Sequence, residues 1–190
     1  MSDEQAPAAP DPVTERALAA IQAALPDAVV ASEVEGLHPW IQVTADSLRD
    51  CITLLRDADQ LKMDCLHLIS GVDLPSKKGD HEMEVLYHLC SYSHLEGPEY
   101  FKREGKRDPW ICLRVRVPFE KPEVPSIMDI HTGADWHERE TFDLVGIRFT
   151  GRPDLRRILL PEDWPGHPLQ KGWEYPVSYH GVPILPPEAL

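Results

Sequence analysis

Between residues 134 and 176 the sequence interleaves charged and large apolar side chains so closely that the charges must be paired once this stretch folds. An unpaired buried carboxylate is costly, and removing one partner of a buried ion pair costs about 3–5 kcal/mol. Arginine suits such pairing because its planar guanidinium donates two hydrogen bonds to a carboxylate and stays charged. We therefore expect arginine–carboxylate pairs here, with buried counter-charges at Glu140 and Arg156 among them. The charged residues of the stretch include Asp135, Glu138, Glu140, Asp143 and Asp154 with Arg139, Arg148, Arg152, Arg156 and Arg157.

The first part of this stretch is typical of a short helix. Residues 135 to 145 contain neither glycine nor proline, and Gly146 is suited to ending a helix. On a helical period, Trp136 and Glu140 fall on one side and Glu138 on another, so no clean apolar face emerges. The sequence therefore predicts a helix in which some carboxylates lie beside buried apolar groups.

The same residues carry a family resemblance. The run ERE, followed by TFDLVGIRFTG and then by PDLRRILLPEDWPGHPL and a lysine, resembles the signature of the 30 kDa subunit of respiratory complex I, the proton-pumping NADH:quinone oxidoreductase. The chain departs from the usual family pattern at Val145, Arg152, Gln170 and Gly172. The candidate structural or partner-contact residues are Trp136, Glu138, Arg139, Glu140, Asp143, Gly146, Arg148, Arg152, Pro153, Asp154, Arg156, Arg157, Trp164, Pro168 and Lys171.

The resemblance implies a peripheral subunit with no active site and no redox centre of its own. FMN, the iron–sulfur clusters and quinone are then expected in partner subunits. The chief expected partner is the 49 kDa subunit, which helps to form the quinone site. The resemblance also implies a location on the cytoplasmic face of the cell membrane, where membrane association comes only through the complex. The contribution of this chain to electron transfer is then positional.

Upstream of the signature, the periodicity of apolar residues predicts an α+β fold. Two amphipathic helices and two short strands precede three longer strands that alternate apolar and polar side chains. We expect a mixed, mostly antiparallel sheet of about five strands with helices on one face, then the charged helix and a long extended C-terminal tail. The expected elements are a helix from Thr14 to about Leu25, strands at 28–34 and 40–43, a helix from Thr44 or Asp46, and strands at 66–72, 82–92 and 110–117.

Composition divides the chain into four segments. Residues 1–12 are rich in Ala, Pro and acidic residues and are expected to be disordered. An α+β domain is expected at 13–118 and the charged helix with its following segment at 119–160. Prolines throughout 161–190 are predicted to prevent regular structure there, because proline lacks a donor N–H. This tail carries large apolar side chains, which indicates that it lies across another protein.

Charge and hydropathy exclude several classes of protein. The formal net charge of −13 argues against a nucleic-acid partner, which requires a basic face. No apolar run approaches the roughly 18 residues of a membrane span, and the acidic start does not resemble a signal peptide. The sequence therefore predicts a chain that stays in the cytoplasm.

Motifs for cofactors and metals are also missing from the sequence. Cys51, Cys65, Cys90 and Cys112 form no closely spaced pair, so we expect four buried, reduced thiols rather than a zinc or iron–sulfur site. Position 141 is threonine, so the His-Glu-x-x-His zinc motif is incomplete. No phosphate-binding loop or dinucleotide fingerprint occurs, so we expect no cofactor, NADH included, to bind this chain.

Two alternatives stay open at this point. The first is the equivalent subunit of a membrane-bound hydrogenase or formate hydrogenlyase, because such complexes share this module. The second is a free-standing hydrolase that uses Glu138, Glu140 and Asp143 as acid and base. The density of arginine around these carboxylates favours structural ion pairs over the hydrolase.

Overall fold

The fold is taken from a computed structural model that describes residues 12–76, 81–92 and 110–184. The disorder expected at residues 1–12 lies outside the described ranges for residues 1–11, whereas Pro12 is the first residue of a helix, so the prediction was wrong there. The last six residues of the tail lie outside them as well.

The predicted α+β architecture is confirmed. Nine strands and three helices occur in the described residues, and five of the strands form one sheet in the order β1-β2-β5-β4-β3. The elements are α1 (Pro12–Ala24), β1 (Val29–Glu33), β2 (Trp40–Val43), α2 (Leu48–Asp57), β3 (Cys65–Leu74), β4 (Glu82–Cys90), β5 (Trp110–Pro118), β6 (Glu123–Pro125), α3 (Ala134–Val145), β7 (Arg148–Thr150), β8 (Ser178–Tyr179) and β9 (Val182–Pro183).

The five-stranded sheet is mixed, as expected, because one of its four pairings is parallel. Strands β3, β4 and β5 form the predicted antiparallel meander, and β1 pairs with β2 as the predicted hairpin. The hairpin joins the meander where β2 runs parallel to β5, with Ile41 beside Leu113. The N-terminal half of the domain is thereby attached to the last strand of the meander.

One face of the sheet carries the core. Alternate residues of β4, among them Val85 and Tyr87, are fully buried there together with apolar residues of α1 and α2. Gly71 of β3 pairs with Val85 and therefore shares this face. Because α3 packs against Gly71 through Thr141, all three helices cover the same side of the sheet.

Two helices begin at positions that differ from the prediction. Helix α1 begins at Pro12, and Thr14, the expected cap, is a buried residue within the helix. Proline is favoured in the first turn, where its missing N–H would be unpaired anyway. Helix α2 begins only at Leu48, because Thr44 forms a turn in which its Oγ1 accepts a hydrogen bond from the Ser47 N–H over 3.3 Å.

The tail contains regular structure, so the prediction that its prolines prevent it was wrong. Strands β8 and β9 form an antiparallel hairpin, and β9 includes Pro183. The turn residues His180 and Gly181 have φ angles of 48° and 78°, the positive values that a two-residue type I′ turn requires. Proline is tolerated because an edge strand leaves half of its donors unpaired.

Aromatic rings of the tail also pack against one another. The Trp164 ring lies 6.4 Å from that of Trp173 and 5.0 Å from that of Tyr179, and Trp173 meets Tyr175 edge-on at 4.7 Å. Such contacts stabilise a pair by about 0.5–1.5 kcal/mol beyond burial. Part of the apolar surface that we assigned to a partner is therefore covered by the tail itself.

The expectation of four buried thiols holds only in part. Cys51 and Cys112 are buried, whereas Cys65 and Cys90 are half-buried and face each other across β3 and β4. In the part of the chain that the structure describes, no helix is long and apolar enough to cross a membrane.

The contact between α3 and β3 gives a test of the packing. A Cβ placed on Gly71 would lie 2.6 Å from Cγ2 of the buried Thr141 and 3.3 Å from Val145 Cγ2, so helix and sheet would have to separate. We expect Gly71→Ala to lower the free energy of unfolding by about 1–3 kcal/mol in chemical denaturation. Gly172→Ala, where a Cβ meets nothing within 4 Å, is the control and should change it by less than about 0.5 kcal/mol. Equal effects of the two substitutions would contradict this packing.

Candidate functional site

Helix α3 places the signature residues and ends where the sequence predicted. It spans Ala134–Val145, and Gly146 caps it in the left-handed region with φ 90° while its N–H donates to the Phe142 carbonyl over 2.9 Å. A Cβ at Gly146 would also lie 2.7 Å from the His167 ring. Glycine is therefore required both for the backbone turn and for the close approach of the tail.

The first buried carboxylate of α3 is that of Glu138, which is fully buried. Its Oε1 accepts a hydrogen bond from the Ile127 N–H over 2.8 Å, and its Oε2 accepts from Ser126 Oγ over 2.7 Å and from Arg152 Nη1 over 3.1 Å. Burial raises the pKa of the Glu138 carboxyl above its ordinary value, and these hydrogen bonds act in the opposite direction. Glu138 thus links α3 to the loop after β6.

Arg152 is the central residue of this first network. Its side chain is 2% exposed, pairs with both Glu138 and Asp135, and donates from Nε to the Asp154 carbonyl over 2.8 Å. Arg152, which is one of the departures from the family pattern, therefore joins two carboxylates of α3 to the segment after β7.

The second buried carboxylate is that of Asp143, also fully buried. Its Oδ2 accepts hydrogen bonds from three successive N–H groups, those of Ile158, Leu159 and Leu160, at 3.1, 2.8 and 2.9 Å. Its Oδ1 accepts from Arg157 Nη1 over 2.8 Å. Burial alone would raise the pKa of Asp143, but the Leu160 N–H, the Arg157 guanidinium and the other two N–H groups together outweigh it and hold that pKa below its ordinary value.

Two further arginines bind carbonyl oxygens. Arg157 donates from Nη2 to the carbonyls of Trp164 and Gly166, both over 3.0 Å. Arg139, expected to meet a carboxylate, donates instead to the carbonyls of Arg156 and Arg157 over 3.3 and 3.1 Å. The segment after β7 has no sheet partner for these carbonyls, so guanidinium groups satisfy them.

The tail is fastened beyond the end of α3 by three more hydrogen bonds. The Leu169 N–H donates to the Leu144 carbonyl and Gln170 Nε2 donates to the Val145 carbonyl, both over 2.9 Å. The Lys171 N–H donates to Asp73 Oδ2 over 2.7 Å. Asp73 was missed by sequence reasoning, and its only signal was that it is the one carboxylate in strand β3.

Several predicted residues do not join either network. Glu140 and Arg148 are exposed and form no ion pair among the described residues, and Trp136 is 70% exposed. Among the described residues, Arg156 forms an ion pair only with Asp154, over 3.1 Å, with side-chain exposures of 64% and 58%. The expected buried counter-charges at Glu140 and Arg156 were therefore wrong. The periodicity did not show which side of α3 meets the sheet, and Arg156 lies outside that helix, in the segment after β7.

Three remaining residues of the signature contribute in smaller ways. Trp164 is half-buried against the rings of Trp173 and Tyr179. Pro153 is exposed, and Pro168 is half-buried. The carboxylates of Glu138, Glu140 and Asp143 lie in three separate environments, so the structure brings no acid–base pair together from them.

The fold and the site define the class of protein. It is an α+β domain whose C-terminal segment is fastened by buried arginine–carboxylate networks. The model of the family described as respiratory-chain NADH dehydrogenase, 30 Kd subunit, matches residues 41–179, and the chain belongs to that family.

Individual relatives agree with the family match. The chain is 36% identical to the NADH-quinone oxidoreductase C subunit of Acidothermus cellulolyticus, over 86% of this chain and 80% of the relative. It is 41% identical to the protein of the same name from Roseiflexus castenholzii, over 81% and 80%. The solved trypsin-resistant fragment of Nqo5 superposes with a TM-score of 0.54 at 28% identity, covering 75% of this chain and 99% of the fragment. A chain of a membrane-bound sulfane sulfur reductase shares the fold alone, at 21% identity and a TM-score of 0.57 over 78% and 77%.

The Asp143 network predicts a large loss of stability when its charge is removed. Asp143→Asn leaves the largely buried Arg157 without a counter-charge, so we expect the free energy of unfolding to fall by about 3–5 kcal/mol in urea denaturation. Asp154→Asn is the matched control, because it breaks an exposed pair that contributes only about 0–1 kcal/mol. Similar losses in both variants would show that Asp143 does not hold the segment.

The contributions of the two buried carboxylates to the free energy of unfolding should depend on pH in opposite directions. The folded-state pKa of Asp143 is lowered, so its stabilisation is complete above its unfolded pKa of about 3.9 and is lost as pH falls through the folded value. The pKa of Glu138 is raised, so its contribution is present below about 4.3 and is lost as pH rises through the folded value.

This difference in sign is measurable with two isosteric variants. From pH 3 to 7, the free energy of unfolding should rise less steeply in Asp143→Asn than in the wild type, and more steeply in Glu138→Gln. Urea midpoints at each pH provide the measurement, and parallel curves for the three proteins would refute the assignment.

Proposed function

We propose that this chain is a non-catalytic structural subunit of the peripheral arm of a proton-translocating NADH:quinone oxidoreductase. The family match over residues 41–179 carries the proposal, and the relatives named for a subunit of NADH-quinone oxidoreductase support it. In this proposal FMN, the iron–sulfur clusters and quinone are held by partner subunits. The complex lies on the cytoplasmic face of the cell membrane, and this chain reaches the membrane only through it.

The contribution of the chain to electron transfer is positional in this proposal. Electron transfer between centres requires fixed separations, and a rigid neighbour preserves them. Glu138 and Asp143 supply that rigidity, because together they bind α3 to the loop after β6, to residues 158–160 and, through Arg157, to the tail. A chain held at so many points can transmit its own position to the subunits on either side.

The chief partner in this proposal is the homologue of the 49 kDa subunit, and the C-terminal tail is its docking segment. The anchored tail supports this assignment, because it leaves large apolar side chains uncovered after its own aromatic rings have packed. Exposed apolar residues of the tail are Leu169, Tyr175, Val177 and Val182, and Leu159 is exposed just before it.

Affinity purification from the host tests the proposal. A tagged full-length chain, extracted from membranes in mild detergent, should co-purify with a very large assembly that contains flavin and iron and passes electrons from NADH to quinone. A nickel-containing assembly without NADH oxidation would replace the proposal with the hydrogenase-type complex. Recovery of the 21.5 kDa chain alone would refute both assemblies.

A further inference from the structure

A groove runs along the outer edge of the sheet, between β3 and α3. Its volume is about 180 Å³. Sites for drug-sized ligands and cofactors occupy roughly 300–1,000 Å³, so this groove is too small for them and has the size of one large side chain. We call it the edge groove, and its lining includes Leu68, Ser70, Gly71, Glu140, Leu144 and Leu169.

The strand beside the groove is an uncovered edge of the sheet. β3 is the last strand in the order, and at ten residues it is twice as long as β1 at the other edge. On the side away from β4, its N–H and C=O groups meet no backbone partner among residues 12–76, 81–92 and 110–184. Such an edge is a template for another strand.

The usual protection of an edge strand is weak in β3. Lysine, proline and inward-pointing charges commonly discourage pairing at sheet edges. β3 contains no lysine, arginine or proline. Its one inward-pointing charge, Asp73, lies next to the C-terminal end of the strand and is bound to the Lys171 N–H and His81, so it protects only that end. A bulge between Leu66 and Leu68 interrupts only one end, and Leu68 beyond it is 38% exposed.

The other wall of the groove is the uncovered side of α3. Trp136, Glu140 and Leu144 follow one another at intervals of four residues, so they form one stripe along the helix. Glu140 and Leu144 line the groove, and Trp136 lies one helical turn beyond Glu140. Trp136 is 70% exposed, and the Glu140 carboxylate has no ion pair within the described ranges. An exposed tryptophan beside an apolar groove and an unpaired charge is the composition of a binding hot spot.

We propose that the edge groove docks an extended segment of a neighbouring subunit, which adds as a strand to β3. Its main chain pairs with the free edge, one apolar side chain enters between Leu68 and Leu169, and a lysine or arginine meets Glu140. This inference rests on the proposed function, because it requires a neighbouring subunit. It adds a second docking surface, which shares Leu169 with the exposed side chains of the tail.

Charge selects this occupant over a second copy of the chain. A symmetric pairing of two β3 edges would bring the Glu140 carboxylates of both copies to one interface, since two-fold contacts use the same patch twice. The chain carries a formal charge of −13, so two copies also repel each other. A basic segment of another protein removes both difficulties.

Site-specific photo-crosslinking tests the location. We would place benzoylphenylalanine at Leu68 or Trp136 in the tagged full-length chain, irradiate the purified membrane assembly, and identify the cross-linked peptides by mass spectrometry. Val30, 57% exposed on the opposite edge strand, is the control position. We expect Leu68 in the groove and Trp136 beside it to reach the same segment of one other subunit. Cross-links to a second copy of this chain, or none at the groove, would overturn the inference.

Charge reversal tests the role of Glu140. Glu140→Lys should lower incorporation into the membrane assembly at least about tenfold, because like charges at an interface are strongly unfavourable. Glu33→Lys, an exposed reversal on β1, is the matched control and should incorporate as the wild type does. Replacing the cross-linked lysine or arginine of the partner by glutamate should restore Glu140→Lys. Thermal unfolding of both purified variants checks that each one folds.

The outcomes separate this inference from the proposed function. If the unmodified chain brings down no assembly with flavin and iron, the proposed function fails. If it does, but Glu140→Lys incorporates as well as Glu33→Lys does, only the edge-groove inference fails.

Discussion

The buried carboxylate of Asp143 is the contact on which the C-terminal half of the structure depends. A full charge without solvent exposure is tolerated only when hydrogen bonds replace the lost water, and here four donors do so. These donors come from residues 14 to 17 positions further along the chain. Helix α3 and the segment after β7 must therefore fold together, since neither satisfies its polar groups alone.

The position of the tail depends on the same contact. Arg157, held by Asp143, binds the carbonyls of Trp164 and Gly166 and so starts the path that leads to Lys171 and Asp73. Glu138 and Arg152 fasten the other end of α3 in the same way. The network binds residues that are far apart in the sequence to one helix. Such a set of hydrogen bonds suits a subunit whose proposed role is to hold its neighbours in place.

The two sides of helix α3 differ in what surrounds them. Glu138 and Asp143 face the interior and are saturated with donors, whereas Trp136 and Glu140 face outward and remain uncovered. A surface that is both apolar and charged, and that adjoins the free edge of β3, is incomplete as a monomer surface. The buried side explains how the chain holds its shape, and the uncovered side is where we propose that another protein adds to it.

Local chemistry made much of this structure predictable from the sequence. Strand β2, the meander and the end of α3 at Gly146 follow from alternation, helical spacing and a residue that accepts positive φ, and all of these act over a few neighbouring positions. The need for arginine–carboxylate pairing followed from the cost of burying charge. Membership of the family could also be recognised from the sequence, because the family signature is a continuous run of residues.

Tertiary structure alone decided which charges are paired and which are exposed. Glu138 and Glu140 are two residues apart in one helix, yet one is buried against Arg152 and the other faces solvent, because the sheet covers only one side of α3. The parallel contact of β2 with β5 and the bond from Lys171 to Asp73 join residues about 70 and 98 positions apart. Local periodicity holds no information on such distant pairs, so only the folded chain defines them.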